Sequence, residues 1–276
     1  MKAITGIGIG VAIAGIMMGA LMEGTQPVAM INIPALLIIG GGTIGVTMAS
    51  TSFQGFMTMP KLAIKAMKGE EFAAADTIEQ MVGLSEKARR NGLLALEEDV
   101  AQIDDAYVRK GLQLVVDGTD SDLVRAILEQ EIDAMAERHE AGARNYKSAS
   151  GFAPTIGILG TVMGLVNVLS HLNEPAKLGP HIAGAFLATL YGVGSANVIF
   201  LPIANKLAEM SSEEINHRTM VLEAILSIQA GDNPRVLAEK LEAFVPPGQR
   251  GADGKSGKGE AKAAPAGGGE TLREAA

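Results

Sequence analysis

Four stretches of the chain carry no charged side chain: residues 4–22, 31–59, 151–170 and 182–205. About 20 apolar helical residues, rising 1.5 Å each, cover a hydrocarbon core of roughly 30 Å, and every stretch is long enough to do so. The pattern therefore predicts four membrane-spanning helices. Outside them the polar positions return with helical periodicity. Residues 70–91 read as a helix broken at Gly92, and 93–106 as a second. A third starts at Thr119, with Asp120 and Asp122 at its positive end. Along it Leu123, Val124, Ile127, Leu128, Ile132 and Met135 recur at intervals that place them on one buried stripe. No breaker precedes Gly142, so this helix can run straight into the third span. Residues 206–229 can likewise continue the fourth span, and a short helix over 234–245 opens on a proline, which the first turn tolerates.

Charge gives the spans a direction. Lys2 precedes the first, Lys61, Lys65 and Lys68 follow the second, Arg144 and Lys147 precede the third, and Lys206 follows the fourth. Basic residues collect on the cytoplasmic side, so both termini are expected there. The two remaining loops are short and hold one basic residue, Lys177. The first stretch lacks the small-x-small site that follows a shorter apolar core in a cleaved leader, so it is read as a retained anchor. The predicted class is an all-α membrane protein of the cytoplasmic membrane, with four transmembrane helices and a large cytoplasmic helical domain between spans two and three. Its expected divisions are 1–60 for the first two spans, 61–150 for the cytoplasmic domain, 151–205 for the last two spans and 206–245 for cytoplasmic C-terminal helices. Residues 246–276, mostly Gly, Ala, Lys and Glu, read as a disordered tail.

Composition narrows the chemistry. Residues 61–151 hold 12 basic and 18 acidic side chains, a surplus of acid that argues against nucleic acid as a partner. The chain has no cysteine, and its four histidines, His139, His171, His181 and His217, lack the paired spacing of a metal site. Neither a metal site nor an enzyme is expected. Gly40-x-Gly42-x-x-Gly45 follows the apolar run Leu36 to Ile39 and matches the dinucleotide-binding fingerprint in spacing. The first acid after it is Glu70, too far to hold a ribose, so the glycines are read as helix-packing positions. Small residues four apart occur in every span: Gly6 and Gly10, Gly15 and Gly19, Gly41 with Gly45 and Ala49, Gly160 and Gly164, Ala188 and Gly192. They let helix backbones approach closely in lipid.

No Asp, Glu, Lys, Arg or His lies inside a predicted span. If ions cross here, another chain brings the titrating carboxylate. This chain offers neutral polar groups instead: Thr161 and Asn167 in the third span, and Thr189, Ser195 and Asn197 in the fourth. Thr161 lies about 14 Å from the cytoplasmic end of its span and Thr189 about 10 Å from the opposite end of its own, near mid-membrane in both cases. The bland alternative is a hydroxyl bonded back to its own helix. Pro154 is two turns before Thr161 on the same face, and Pro202 near the end of the fourth span can act as a kink. On either side of Gly92 stand a basic cluster, Lys87, Arg89 and Arg90, and an acidic one, Glu97, Glu98 and Asp99. They can pair with each other or steer a complementary partner.

Three segments carry a family resemblance: Gly151-Phe-Ala-Pro-Thr-Ile-Gly-Ile-Leu-Gly-Thr-Val-Met-Gly-Leu-Val, Ala185-Phe-Leu-Ala-Thr-Leu-Tyr-Gly, and Ser85-Glu-Lys-Ala-Arg-Arg-Asn-Gly-Leu-Leu-Ala-Leu-Glu-Glu-Asp. In order, spacing and topology the chain resembles, over about residues 1–245, the MotA/PomA stator subunits of the bacterial flagellar motor. The resemblance implies a homo-oligomer, a ring of five around two copies of a MotB-like, single-span, peptidoglycan-binding partner whose carboxylate binds the ion. Ion passage would turn the ring, and its cytoplasmic rim would push on the rotor protein FliG. It implies rotor contact at Arg89 and Glu97, and an ion pathway involving Thr161, Thr189, Pro154 and Pro202. Sodium-type members tend to carry Thr at positions 161, 188 and 189. Ala188 departs from that pattern, so the coupling ion is expected to be H+, with Na+ as the alternative; no cofactor is expected. The competing reading is an energising module like ExbB or TolQ, which resembles a three-span design with an outside N-terminus. The first two spans are expected to form an outer layer and the last two to line the ion path.

Overall fold

The structure is a computed structural model that describes residues 4–69 and 73–246. Among these residues it is helical throughout, with no strand. Ten α-helices follow one another: α1 (Ile4–Met22), α2 (Ile33–Ser50), α3 (Phe53–Lys68), α4 (Ala74–Asn91), α5 (Glu97–Ala101), α6 (Ala106–Val116), α7 (Ser121–Ser170), α8 (Pro175–Gly194), α9 (Leu201–Ala230) and α10 (Pro234–Glu242). A 3-10 turn, Pro27–Met30, joins α1 to α2, and a π turn, Ser195–Phe200, joins α8 to α9. Four helical stretches are long and apolar enough to cross a membrane: Ile4–Met22, Pro27–Ser50, Ser121–Ser170 and Pro175–Ala230.

Two long rods carry the architecture. The 50 residues of α7 extend about 75 Å at helical rise. As the absence of a breaker before Gly142 predicts, α7 passes unbroken from a charged half into an apolar one; of its expected buried stripe Val124, Leu128, Ile132 and Met135 are buried and Ile127 half-buried, but Leu123 is 54% exposed. The stretch from α8 through α9 is 56 residues long and runs beside it. Asp120 caps α7 by accepting the Asp122 N–H at 3.0 Å. Gly231 closes α9 in the left-handed conformation at φ 73°, a backbone geometry that costs glycine little.

The charged halves of these rods belong to a helical domain with one continuous core. Met81, Leu96, Leu112, Leu128, Met220, Ile225, Leu237 and Leu241 are all at most 1% exposed, and they join α4, α6, α7, α9 and α10. Glu223 on α9 ties the rim of this domain together, pairing with Arg125 of α7 at 3.1 Å and Lys240 of α10 at 2.8 Å. Its carboxyl is held below the usual range by the Lys240 bond first and by Arg125 after it. Tyr107 is buried, bonds the Leu128 carbonyl at 3.4 Å and carries the Arg218 guanidinium 5.0 Å above its ring.

A second, smaller core marks the junction with the apolar half. Met59 and Ala66 of α3, Tyr146 of α7, and Ile203, Ala204 and Leu207 of α9 meet there. The Tyr146 hydroxyl donates to the Met59 carbonyl at 2.6 Å, and burial pushes its pKa up.

Three sequence expectations change. The uncharged stretch 31–59 is not one helix. Thr51 is extended, and Ser52 caps a new helix by accepting the Gly55 N–H at 3.1 Å, so α2 ends at Ser50 and α3 straddles residue 60. Counting charges misses this break because Thr and Ser are neutral, although Ser is a strong cap. The helix expected over 93–106 is instead a 3-10 turn, Leu93–Leu96, the short α5, and then α6. Asp105 starts α6 by accepting the Tyr107 and Val108 N–H groups at 2.8 and 3.1 Å. Residues 70–72 and 247–276, which include the start of the helix expected at 70 and most of the predicted tail, lie outside the described residues, as does Lys2.

The third change concerns Pro202. It does not simply kink a continuous α-helix: the six-residue π turn precedes it, and the Leu201 N–H reaches the Ala196 carbonyl, five residues back. A proline has no N–H to give, and its ring crowds the carbonyl four residues earlier. The widened turn accommodates both effects.

Candidate functional site

Where α7 and α8 run side by side, small residues bring the backbones together. A Cβ on Gly192 would lie 2.6 Å from the Ala153 carbonyl oxygen and 3.0 Å from the Gly157 Cα, and one on Gly164 2.9 Å from the Ala185 Cα. Only glycine fits these two positions without displacing backbone. The predicted packing role of Gly160, Gly164, Ala188 and Gly192 is therefore realised between these two helices, with Ala185 and Ala188 nearly sealed from outside. Gly10, Gly15, Gly19, Gly41 and Gly45 face open space, with no neighbour among the described residues within 4 Å of a Cβ placed on them.

This close approach brings Thr161 and Thr189 into direct hydroxyl contact. Thr161 Oγ1 also lies 3.1 Å from the Gly157 carbonyl and 3.1 Å from the Ala185 carbonyl. Each carbonyl lies four residues before one of the two threonines. Thr161 has a single proton to donate, so when it bonds a carbonyl its oxygen is left to accept the Thr189 proton. The pair is thus a short chain of neutral donors and acceptors bridging two helices. The back-bonding alternative is half right: Thr161 does contact its own helix, but it also crosses to α8. Both hydroxyls are half-buried, in a segment without a charged side chain.

Pro154 and Pro202 are not in this contact. Pro154 is half-buried on α7, about 10 Å below Thr161 along the helix axis. Pro202 lines a cleft of about 370 Å³ between α1 and the π turn, with Gly8, Ile9, Asn197 and Lys206. Asn197 is held by a bond from its Nδ2 to the Val193 carbonyl at 2.9 Å.

The sequence missed Tyr191. Its hydroxyl accepts the Asn32 N–H at 3.0 Å and donates to the Met30 carbonyl, pinning the start of α2 to α8. Asn32 in turn caps α2 by accepting the Ala35 N–H at 3.0 Å. The contact spans some 160 positions of sequence, and no local pattern signals it.

The charge clusters around Gly92 sit on the helical domain. Gly92 adopts φ +85° and turns the chain between α4 and the 3-10 turn. Lys87 reaches across this turn to Asp99 at 2.6 Å, so one opposite-charge pair does form. Arg90 lies 4.0 Å from Glu86 on its own helix. Arg89 and Glu97 are exposed and make no ion pair among the described residues, so both remain available to a partner.

Residues 99–220 match the MotA/TolQ/ExbB proton channel family. The motility protein A of Borreliella burgdorferi is 36% identical over 244 residues, covering 88% of this chain and 94% of that protein. The chain belongs to the motility protein A family of flagellar-motor stator subunits. Chemotaxis protein PomA of Vibrio alginolyticus is 36% identical over 220 residues, covering 80% of this chain and 86% of PomA. A solved structure of the flagellar MotAB stator complex from Bacillus subtilis superposes with a TM-score of 0.83 at 35% identity, covering 88% of this chain and 96% of that chain. The matched region includes the α7 and α8 pair that carries Thr161 and Thr189, while Arg89 and Glu97 lie before it.

Proposed function

We propose that this chain conducts ions and generates torque as a ring, five copies around two copies of a MotB-like, single-span subunit that binds peptidoglycan. The observation that carries the ion-path part is the Thr161–Thr189 hydroxyl contact in spans without an ionisable residue. A neutral hydroxyl pair can pass a proton or contribute to the shell of a cation, but it cannot hold charge at membrane depth. The partner's carboxylate supplies that charge. The family membership and the likeness to a MotAB complex support such a partner.

The chain sits in the cytoplasmic membrane with both termini inside, which agrees with the basic flanks of its spans. The division of the chain at residues 60, 150, 205 and 245 follows from the same topology, with α3 lying across the first boundary. Pro154 and Pro202 act on helix geometry at the cytoplasmic ends of the path. Arg89 and Glu97 face the rotor protein FliG, a role supported by their exposure on either side of the Gly92 turn. Protons are the coupling ion, on the strength of Ala188. Because the relatives are motility proteins, the stator reading is favoured over an ExbB- or TolQ-like module.

Replacing each hydroxyl tests the reading. Thr161→Val or Thr189→Val, which keep the shape and remove the hydroxyl, should reduce swimming severely, while Thr161→Ser should retain most of it. If the Val variants assemble and swim like the parent, the hydroxyl pair is not part of the ion path. Swimming speed against sodium concentration at fixed pH discriminates the ion; a flat response is expected.

A further inference from the structure

The helix α3 carries more apolar surface than the fold uses. Its Met59 and Ala66 are buried in the junction core, with Phe56, Leu62 and Ala63 half-buried beside them. Phe53, Met57 and Ile64 point elsewhere and are 72%, 57% and 53% exposed. At about 3.6 residues per turn these three fall within a sector of about 40°, beside the buried face rather than on it. Lys61, Lys65 and Lys68 occupy the adjoining sector, about 60° wide, and all three are exposed. No acidic residue occurs between 53 and 68. Lys61 and Lys68 make no ion pair among the described residues. Around α3 there thus run a core face, an apolar stripe and a basic stripe.

The position of α3 decides what can cover the two outer stripes. At mid-helix the Met59 carbonyl accepts the Tyr146 hydroxyl, and Leu207 packs in the same cluster. Tyr146 and Leu207 adjoin Lys147 and Lys206, the basic residues that flank the uncharged stretches of the two rods. A Cβ on Gly55 would lie 3.1 Å from Asn145 Nδ2, one on Gly142 2.7 Å from Leu62 Cδ1, and one on Gly6, in the first turn of α1, 3.6 Å from Met67 Cε. Between the first two of these contacts α3 advances about 10 Å along its own axis but only about 4.5 Å along α7. It is therefore steeply inclined to α7 and keeps to the layer where the charged halves give way to the apolar ones, a layer about as thin as a band of phospholipid headgroups.

A helix in that layer with adjoining apolar and lysine stripes fits a membrane interface. The apolar side chains enter the acyl boundary while the ammonium groups stay among the headgroups. Anionic lipids give the cytoplasmic leaflet a negative surface, opposite in sign to the lysine stripe. We propose that α3 is a docking face for anionic phospholipid, with Phe53, Met57 and Ile64 against acyl chains and Lys61, Lys65 and Lys68 on the phosphates. The inference rests on the cytoplasmic placement of this end of the spans, and not on ion conduction. Bound lipid would hold the Tyr146–Met59 joint, where the helical domain meets the membrane layer.

The chain has no tryptophan, so Met57→Trp places a single fluorescent reporter on the apolar stripe, and Phe53→Trp, one turn earlier, a second. In vesicles of phosphatidylcholine with about 30% phosphatidylglycerol, brominated acyl chains on either lipid should quench the reporter, the brominated phosphatidylglycerol about twofold more strongly per mole. Lys61→Gln, Lys65→Gln and Lys68→Gln together should equalise the two lipids without removing the quenching, and salt at about 0.5 M should do the same. Lys110→Gln, on the helical domain, should change neither. If the triple variant does not fold, Lys61→Gln and Lys68→Gln singly should each reduce the preference. Absence of quenching overturns the proposal and assigns the stripe to a second copy or another protein. Equal quenching by the two lipids in the parent, or a preference unchanged in the lysine variants, overturns it as well. The measurement needs neither partner nor motility, so its failure leaves the proposed function standing.

Discussion

The helical domain and the membrane layer are built from one chain but to different degrees of completion. In the domain, α4, α6, α7, α9 and α10 enclose leucines, isoleucines and methionines that are nearly unexposed. In the membrane layer, α1 buries no residue at all, and α2 buries only Ala35, Ile39, Thr43 and Thr47. Among the described residues, the backbone-to-backbone approach of α7 and α8 in this layer is made by glycine and alanine, while α2 adds only a small cluster of Ala35, Ile39 and Ala188 with Ile156 beside it. The difference follows from the solvent. In water, apolar burial drives a domain to finish its own core. In lipid there is no such drive, and close packing of small residues has to serve, leaving wide apolar faces for lipid or for other chains. A single chain of this kind is a finished helical domain attached to an apolar layer that leaves most of its faces uncovered.

Gly192 is where the membrane layer is most sensitive to a single substitution. Gly192→Val meets the backbone of α7 rather than a side chain that can move, so it should separate α7 from α8 and abolish swimming, whereas Gly192→Ala should do so less completely. Motility with Gly192→Val at the parent level would mean the close approach is dispensable.

Within the domain, Leu128→Ala empties a site that is 0% exposed, and a loss of about 2–5 kcal/mol is expected. Denaturant unfolding of the purified protein measures it, and a loss confined to that domain, with the membrane helices still folded, would sharpen the division.

Acid should act on the same region. His139 and His217 are both held below their usual pKa, by burial first, with Glu214 3.9 Å from His139 partly opposing it. The folded protein therefore binds fewer protons than the unfolded chain near the ordinary value of 6.5. That part of the stability is present above pH 6.5 and is lost as pH falls below it. Melting temperature recorded between pH 7.5 and 5 should decline, and His217→Phe should flatten the decline.

The smallest effect should come from α1. Nothing lies within 4 Å of a Cβ placed on Gly15, so Gly15→Ala should leave the melting temperature of the single chain unchanged to within about 0.5 kcal/mol of stability. Loss of assembly without loss of chain stability would identify this face as a contact between chains.

Much of this division was legible in the sequence. Charge-free intervals overlap the four long apolar helical stretches, the lack of a breaker before Gly142 lets α7 continue into its apolar half, and Thr161 and Thr189 stand out as neutral polar groups in uncharged segments. What escaped had physical causes. Caps such as Ser52 and Asp105 start helices through one side-chain oxygen, which counting charges or apolar runs does not reveal. The consequence of Pro202, a π turn rather than a kink, depends on how the preceding turn relaxes. The contact of Tyr191 with Asn32 is a tertiary meeting, created when two helices fold back on each other. Of the small pairs on α1, only Gly6 faces a side chain of this chain among the described residues, Met67; the surroundings of the others are set by what lies outside the single chain, which no local pattern encodes.

In the proposed function this chain supplies the wall of an ion path but not its charge. Passive ion flux into vesicles, measured with a pH-sensitive dye for the chain alone and for the chain co-reconstituted with a single-span, Asp-bearing partner, tests it most directly. Flux is expected only when the partner is present, and is expected to vanish when that Asp is replaced by Asn. Conduction by the chain alone would contradict it.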